Sequence, residues 1–198
     1  MNTTTLALGP SGAPHYFSGR SLFDWFFAAL VASGGAYAFA HYGASMDGYE
    51  KGILLGALPA AVALGWFWGP LRVLMLGVTA AALVAIALYS RATDSFGADL
   101  AQGEHVFLLK YFLSSQSAIL WMSVLFFMST AFYWIGFAAK TDDNAAVRIG
   151  SRLTWVAVFM ALTGSAVRWY ESHQIGPDIG YIPGSNLYEV FILFCWLT

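Results

Sequence analysis

The sequence predicts an all-α integral membrane protein, a polytopic helical bundle of five complete transmembrane helices and a truncated sixth. Three observations carry that reading. Hydrophobic residues make up 59% of the 198-residue chain and charged residues only 10%, with a mean hydropathy of +0.64, so there is too little polar surface to cover a water-soluble globule of this size. Apolar runs near 22–40, 53–68, 70–90, 117–139 and 152–169 are long enough for helices that cross a hydrocarbon core. Aromatic residues stand at the ends of those runs, as Trp25, Trp66, Trp68, Tyr89, Tyr133, Trp134, Trp155, Trp169 and Tyr170, where amphipathic rings prefer the membrane interface. The net charge of -2 and the lack of a basic cluster exclude nucleic acid as a partner, because phosphate binding needs an electrostatic footprint.

Residues 1–21 read as a polar N-terminal tail and 22–198 as the transmembrane domain. The small residues Ala36, Ala38 and Ala40 resemble a signal-peptide cleavage site, but the first run is too long and Arg20 stands alone before it, so an uncleaved helix is expected. The second and third runs are separated by Gly69-Pro70-Leu71-Arg72, which predicts a break and a tight helical hairpin. Gly52, Gly56, Gly65 and Gly69 form two G-x-x-x-G pairs on the second run, a pattern that lets a neighbouring backbone approach closely.

Residues 92–116 form a longer loop in which Val106, Phe107, Leu109, Tyr111, Phe112 and Leu113 predict a short amphipathic helix on the membrane surface, leading into the fourth span. His105 in that loop reads as a solvated or interfacial side chain. The connection 140–152 carries three cations, Lys140, Arg148 and Arg152, and favours a cytoplasmic N-terminus, although the whole-chain bias is only five cations inside against four outside. The charged segment 168–186 then faces the outer compartment, with Arg168 and Glu171 reaching from a helix end to the interface. Asn186-Leu187-Tyr188-Glu189 has the spacing of a capping box and starts a sixth helix. The twelve residues 187–198 extend about 18 Å against a core of about 30 Å, so that span is expected to be unfinished, as in a fragment of a longer protein.

The single cysteine, Cys195, rules out an internal disulfide, a C-x-x-C motif and the C-x-x-C-H signature of covalent haem attachment. The chain is therefore not itself a c-type cytochrome.

Arg168-Trp169-Tyr170-Glu171, followed by Gly180-Tyr181-Ile182-Pro183-Gly184-Ser185-Asn186-Leu187-Tyr188-Glu189 and an aromatic run from Phe191 to Trp196, resembles the early part of the System II cytochrome c synthetase membrane subunit, the Ccs/Res family, in its proteobacterial branch. The similarity extends through YGASMDGYEKGILLG and KYFLSSQSAILWMSVLFFMSTAFYWIG and covers nearly the whole chain. It implies a multi-pass protein of the bacterial inner membrane that moves haem b, bound transiently, to the outer face. There, with a second System II membrane subunit that is ResB-like, it would join haem to apocytochrome c. The motif residues so implied are Arg168, Trp169, Tyr170, Glu171, Pro183, Ser185, Asn186, Tyr188 and Glu189.

Two departures bear on activity. Gly180-Tyr181 stands where the family shows Gly-His, and the family's tryptophan-rich loop with its flanking histidines lies further along than residue 198. No catalytic residue or resident metal is assigned, and whether the chain is an enzyme stays open. The candidate haem-binding residues are His41, His173, Arg168 and Trp169. Arg168 reads either as an interfacial anchor or as a contact for a haem propionate or the partner subunit. Glu189 reads as a cap or as an intramembrane carboxylate. A small transporter or channel is the alternative function, against which stand the lack of paired intramembrane charges and of interrupted helices; a non-catalytic structural subunit is the third.

Overall fold

The computed structural model describes residues 20–44, 46, 48–90, 100, 102–139 and 145–175. Among these every regular element is helical and none is a strand: α1 (Leu22–Tyr42), α2 (Gly48–Phe67), α3 (Gly69–Ser90), α4 (Gln102–His105), a π-helical turn (Leu109–Leu113), α5 (Ser115–Ala139) and α6 (Ala145–Ile175). Four of them, α1, α3, α5 and α6, are long and apolar enough to cross a membrane. The described residues are thus all-helical, with four apolar helices of the kind that spans a membrane. The apolar stretch of α2, Lys51–Phe67, has fewer than 18 residues. The predicted sixth helix, capped by Asn186 and carrying Tyr188, Glu189 and Cys195, and the motif residues Pro183 and Ser185 before it lie outside the described residues.

The chain divides into two compact units, residues 1–72 and 73–198. In the first, α1 opens on a capping box: Asp24 N–H donates to Ser21 Oγ at 3.2 Å, and Ser21 N–H donates to Asp24 Oδ2 at 2.8 Å. Two free backbone donors are thereby satisfied before the apolar run begins. Helices α1 and α2 run antiparallel, with Gly65 against the buried Phe27 ring and Gly35 against Leu58. The predicted glycine pairs do not act as a backbone contact. A Cβ added at Gly52 or Gly56 would meet nothing within 4 Å, and Gly65 accepts the Phe27 phenyl ring, which occupies the place its Cβ would take.

Close helix approach belongs instead to the second unit. Along α5 the buried positions are Ser115, Ala118, Met122, Ser129 and Gly136, spaced so that small residues recur on one face. They meet Gly150, Ala161 and Gly164 of the antiparallel α6. A Cβ at Gly164 would stand 3.1 Å from that of Ala118, and one at Gly150 would stand 3.3 Å from the Ser129 carbonyl oxygen. Ser129 Oγ donates to the Gly150 carbonyl at 2.8 Å and lies 2.7 Å from Thr154 Oγ1. Small side chains and inter-helix hydrogen bonds hold helices together where lipid removes the hydrophobic drive.

Three expectations change here. The cations Arg148 and Arg152 are not in a loop but on the first turns of α6, which begins at Ala145. Arg168–Ile175 is not an outer loop but the continuation of the same helix, because a helix does not end where its sequence turns polar if no Gly or Pro breaks it. The short helix foreseen before the fourth span is there as helical residues 107–113, but it ends in a π-helical turn and follows the separate four-residue α4.

Candidate functional site

The described part of the R-W-Y-E motif ends in a buried carboxylate. Glu171 is 7% exposed and accepts three hydrogen bonds: from Tyr89 O–H on α3 at 2.7 Å and Ser115 N–H at 3.1 Å, both to Oε1, and from Ser115 Oγ–H to Oε2 at 2.5 Å. Ser115 is the first residue of α5. The carboxylate thus sits at a helix N-terminus, where unsatisfied N–H groups and the positive end of the helix dipole favour an anion. Ser114 serves as the cap of the same helix, its Oγ accepting from Ser117 N–H at 3.3 Å.

The π-helical turn closes against this point. Ser114 N–H donates to the Leu109 carbonyl at 3.0 Å, Ser117 Oγ–H to the Lys110 carbonyl at 2.5 Å, and Trp121 Nε1–H to the Tyr111 carbonyl at 2.7 Å. The first bond closes the π-helical turn itself, and the other two let side chains in the first turns of α5 take up the next two carbonyls, which a regular helix would have used internally. Such turns are rare and occur frequently at functional sites. Leu109 is fully buried with Val167, Ala82, Ala85 and Tyr89, and Tyr170 packs against that cluster.

The structure also sorts the four motif residues by side of α6. Trp169 is 45% exposed, two positions from the buried Glu171 and therefore on the opposite side of the helix. Arg168 lies one turn before Glu171, on the same side, and is half-buried. Tyr89, expected as an interfacial anchor, is 2% exposed and is instead a donor to Glu171. Glu171 is likewise no snorkelling side chain. Neither role was visible in the sequence, because the two residues are 82 positions apart.

His41 lies at the end of α1 in the first unit, exposed and stacked on Tyr37 with centroids 5.6 Å apart. His173 is on α6, its side chain outside what is described. His41 belongs to the first unit and the Arg168–Glu171 tetrad to the second. Among the described residues no group of three or more His, Cys, Asp or Glu gathers around a point.

A second polar cluster went unforeseen. In the first unit Asp24, also buried, pairs with Arg72. Trp66 Nε1–H donates to the Asp24 carbonyl at 3.0 Å, and Arg20 Nη1–H donates to the Trp66 carbonyl at 2.7 Å. The expected lack of paired charges is therefore corrected, although both partners occupy first turns of their helices rather than mid-span positions. The spacing Ser21-x-x-Asp24 before an apolar run was the available signal.

Comparison with known proteins adds no assignment: no family model, no curated protein and no solved structure matches the chain.

Proposed function

We propose that the chain is a cytochrome c assembly factor, part of a haem-handling membrane synthetase that delivers haem to the outer face and, with a ResB-like subunit, to apocytochrome c. The reading includes five crossings, with α2 as the second, a further one in 187–198, and a bacterial inner membrane with the N-terminus in the cytoplasm. It rests on the resemblance of the motifs. The observation that supports it is the setting of Arg168-Trp169-Tyr170-Glu171, in which Glu171 is fixed by three hydrogen bonds while Trp169 is presented outward.

In this reading Glu171 is a positioning residue. It fixes the end of α6 so that the indole of Trp169 stands ready to cover a flat apolar face. The planar guanidinium of Arg168 suits a propionate carboxylate. Haem is cargo here, and its axial ligation is not assigned to these residues.

The test is purification of the full chain from membranes supplied with haem, with a Soret band and b-type pyridine haemochromogen as readouts. A red preparation is expected, with Arg168→Gln lowering the haem content several-fold and co-expression with the partner subunit yielding cytochrome with covalent haem. A colourless preparation that carries solute flux in liposomes would overturn the proposal in favour of a transporter. A colourless one that co-purifies with a partner complex would leave a structural subunit.

A further inference from the structure

Nothing in the sequence breaks the helix at Ser114. From Val106 to Ile135 there is neither Gly nor Pro, so a helix entering that stretch has no local signal to stop. Yet Ser114 has φ -61° and ψ 152°, an extended residue between the helical residues 107–113 and α5. Side-chain and tertiary contacts impose the bend.

Its sharpness is read from those contacts. In a continuous helix Phe112 and Trp121 would stand about 13 Å apart along the axis and on opposite sides, whereas their rings stack with centroids 5.7 Å apart and planes within 3°. Ser117 Oγ reaches the Lys110 carbonyl, and Trp121 Nε1 the Tyr111 carbonyl. Residues 107–113 are thus turned back against the first turns of α5, with Leu109 buried beside Val167, Ala82, Ala85 and Tyr89.

Two arrangements of this stretch compete. Bent, it is held by six described hydrogen bonds: Ser114 N–H to the Leu109 carbonyl, Ser117 N–H to Ser114 Oγ, Ser117 Oγ–H to Lys110, Trp121 Nε1–H to Tyr111, and the two from Ser115 to Glu171. Straight, the N–H groups of 114–117 would bond the carbonyls of 110–113 in ordinary helical register, one bond each. Leu109 would pass from its cluster into lipid, at little hydrophobic cost. The bent form leads by two bonds, which at the strength usual between membrane helices is about an eightfold preference.

We propose that this stretch is a two-state hinge latched by Glu171. The carboxylate holds the Ser115 N–H that a continuous helix would give to the Tyr111 carbonyl. Its release lets 107–139 close into one helix and swings the exposed Phe107, Tyr111 and Phe112 away from the first turns of α5. The hinge goes beyond the haem-handling reading and does not depend on the cargo.

The experiment is double electron–electron resonance on the full chain in nanodiscs, with nitroxide labels on Leu108→Cys and Phe127→Cys, both exposed positions, in a Cys195→Ser background. A continuous helix separates the two by about 28 Å along its axis, and the bent form holds them closer. About a tenth of native molecules should show the long distance. Trp121→Phe, which removes one bond, should raise this to about a quarter, and Glu171→Ala, which removes both Ser115 bonds, to about half. Glu171→Gln can keep both and should stay near a tenth. Ser115→Pro loses the same two bonds as Glu171→Ala, but proline has no N–H to give and clashes with the Tyr111 carbonyl in a straight helix, so only the short distance should remain. An unchanged distribution in Glu171→Ala would overturn the proposal; should that variant not fold, an unchanged Trp121→Phe would do the same. A long distance in Ser115→Pro would also overturn it, because the segment would then detach without joining α5.

Discussion

Replacing Glu171 separates hydrogen-bond count from charge in the clasp that joins α3, α5 and α6. The carboxylate accepts from Tyr89 O–H, Ser115 N–H and Ser115 Oγ–H. In water-soluble proteins hydrogen bonds to charged groups contribute about 1.5–3 kcal/mol each, but those measured between membrane helices average about 0.6 and reach about 1.7 kcal/mol. The membrane values apply here, because the partners lie on helices that lipid surrounds. Three bonds then sum to about 2–5 kcal/mol, and that is the expected cost of Glu171→Ala, which also leaves the buried Tyr89 hydroxyl without its acceptor. Glu171→Gln is different. Its amide oxygen can still accept from Tyr89 and from Ser115 N–H, and its NH2 can donate to Ser115 Oγ once that hydroxyl turns from donor to acceptor. The count stays at three, and only the charge at the α5 N-terminus is lost, about 0.3–1 kcal/mol. Tyr89→Phe removes one bond and should cost about 0.6–1.7 kcal/mol. The assay is equilibrium unfolding of the full chain in mixed micelles by SDS titration, followed by far-ultraviolet circular dichroism. A Glu171→Gln variant as unstable as Glu171→Ala would refute the hydrogen-bond argument and assign the clasp to charge. A neutral Glu171→Ala would refute the clasp altogether.

Two further outcomes follow from the same unfolding measurement. Arg72→Leu leaves the buried Asp24 carboxylate without its cation and should cost about 3 kcal/mol, the lower end for breaking a buried pair, since Ser21 N–H still donates to Asp24; the double variant Asp24→Asn with Arg72→Leu should recover most of that loss, and failure to recover would show that the two do not act as a pair. Gly164→Leu must push against Ala118, whose Cβ would lie 3.1 Å away, at a cost of about 1–3 kcal/mol, whereas Gly56→Leu, which meets open space, should change stability by less than about 0.5 kcal/mol.

The apolar runs were legible because a chain in lipid must bury its backbone polar groups in helices, and α1, α3, α5 and α6 follow from their composition alone. Helix ends were less legible. Hydropathy reports the part of a helix that faces lipid, so it stopped at 152 and 169, while α6 runs from Ala145 to Ile175 through Arg148, Arg152 and Glu171. Glycine spacing misled for a related reason: G-x-x-x-G on α2 and the isolated Gly150 and Gly164 on α6 look alike to a pattern, and only tertiary contact shows which glycines meet a neighbour. Arg168-Trp169-Tyr170-Glu171 stood out as a motif, yet its inward member could not be told from its outward one without knowing that Tyr89 and Ser115 lie opposite. The capping box Ser21-x-x-Asp24 is readable in the sequence as the spacing of a short hydroxyl and a carboxylate before an apolar run.

The two units fix their helices in different ways, and the difference explains why both carry a buried carboxylate. Lipid offers no hydrophobic gain for bringing two apolar helices together, so association depends on close packing and polar contacts. Helices α5 and α6 have both along their length, through Gly150, Gly164 and the Ser129 hydroxyl, and Glu171 adds a polar tie at one end. Helices α1 and α2 part to form a groove between Ala28 and Phe39, so their register depends more heavily on one end, where Arg20, Asp24, Trp66 and Arg72 interlock. Loss of that cluster should therefore loosen α1 against α2 more than loss of Glu171 loosens α5 against α6. Hydrogen exchange of the full chain in nanodiscs measures this directly: Trp66→Phe with Arg72→Leu should raise exchange along α1 and α2, while Glu171→Ala should raise it only in the first turns of α5 and the last turns of α6. Equal spreading in both variants would mean that polar ties at helix ends set the packing throughout.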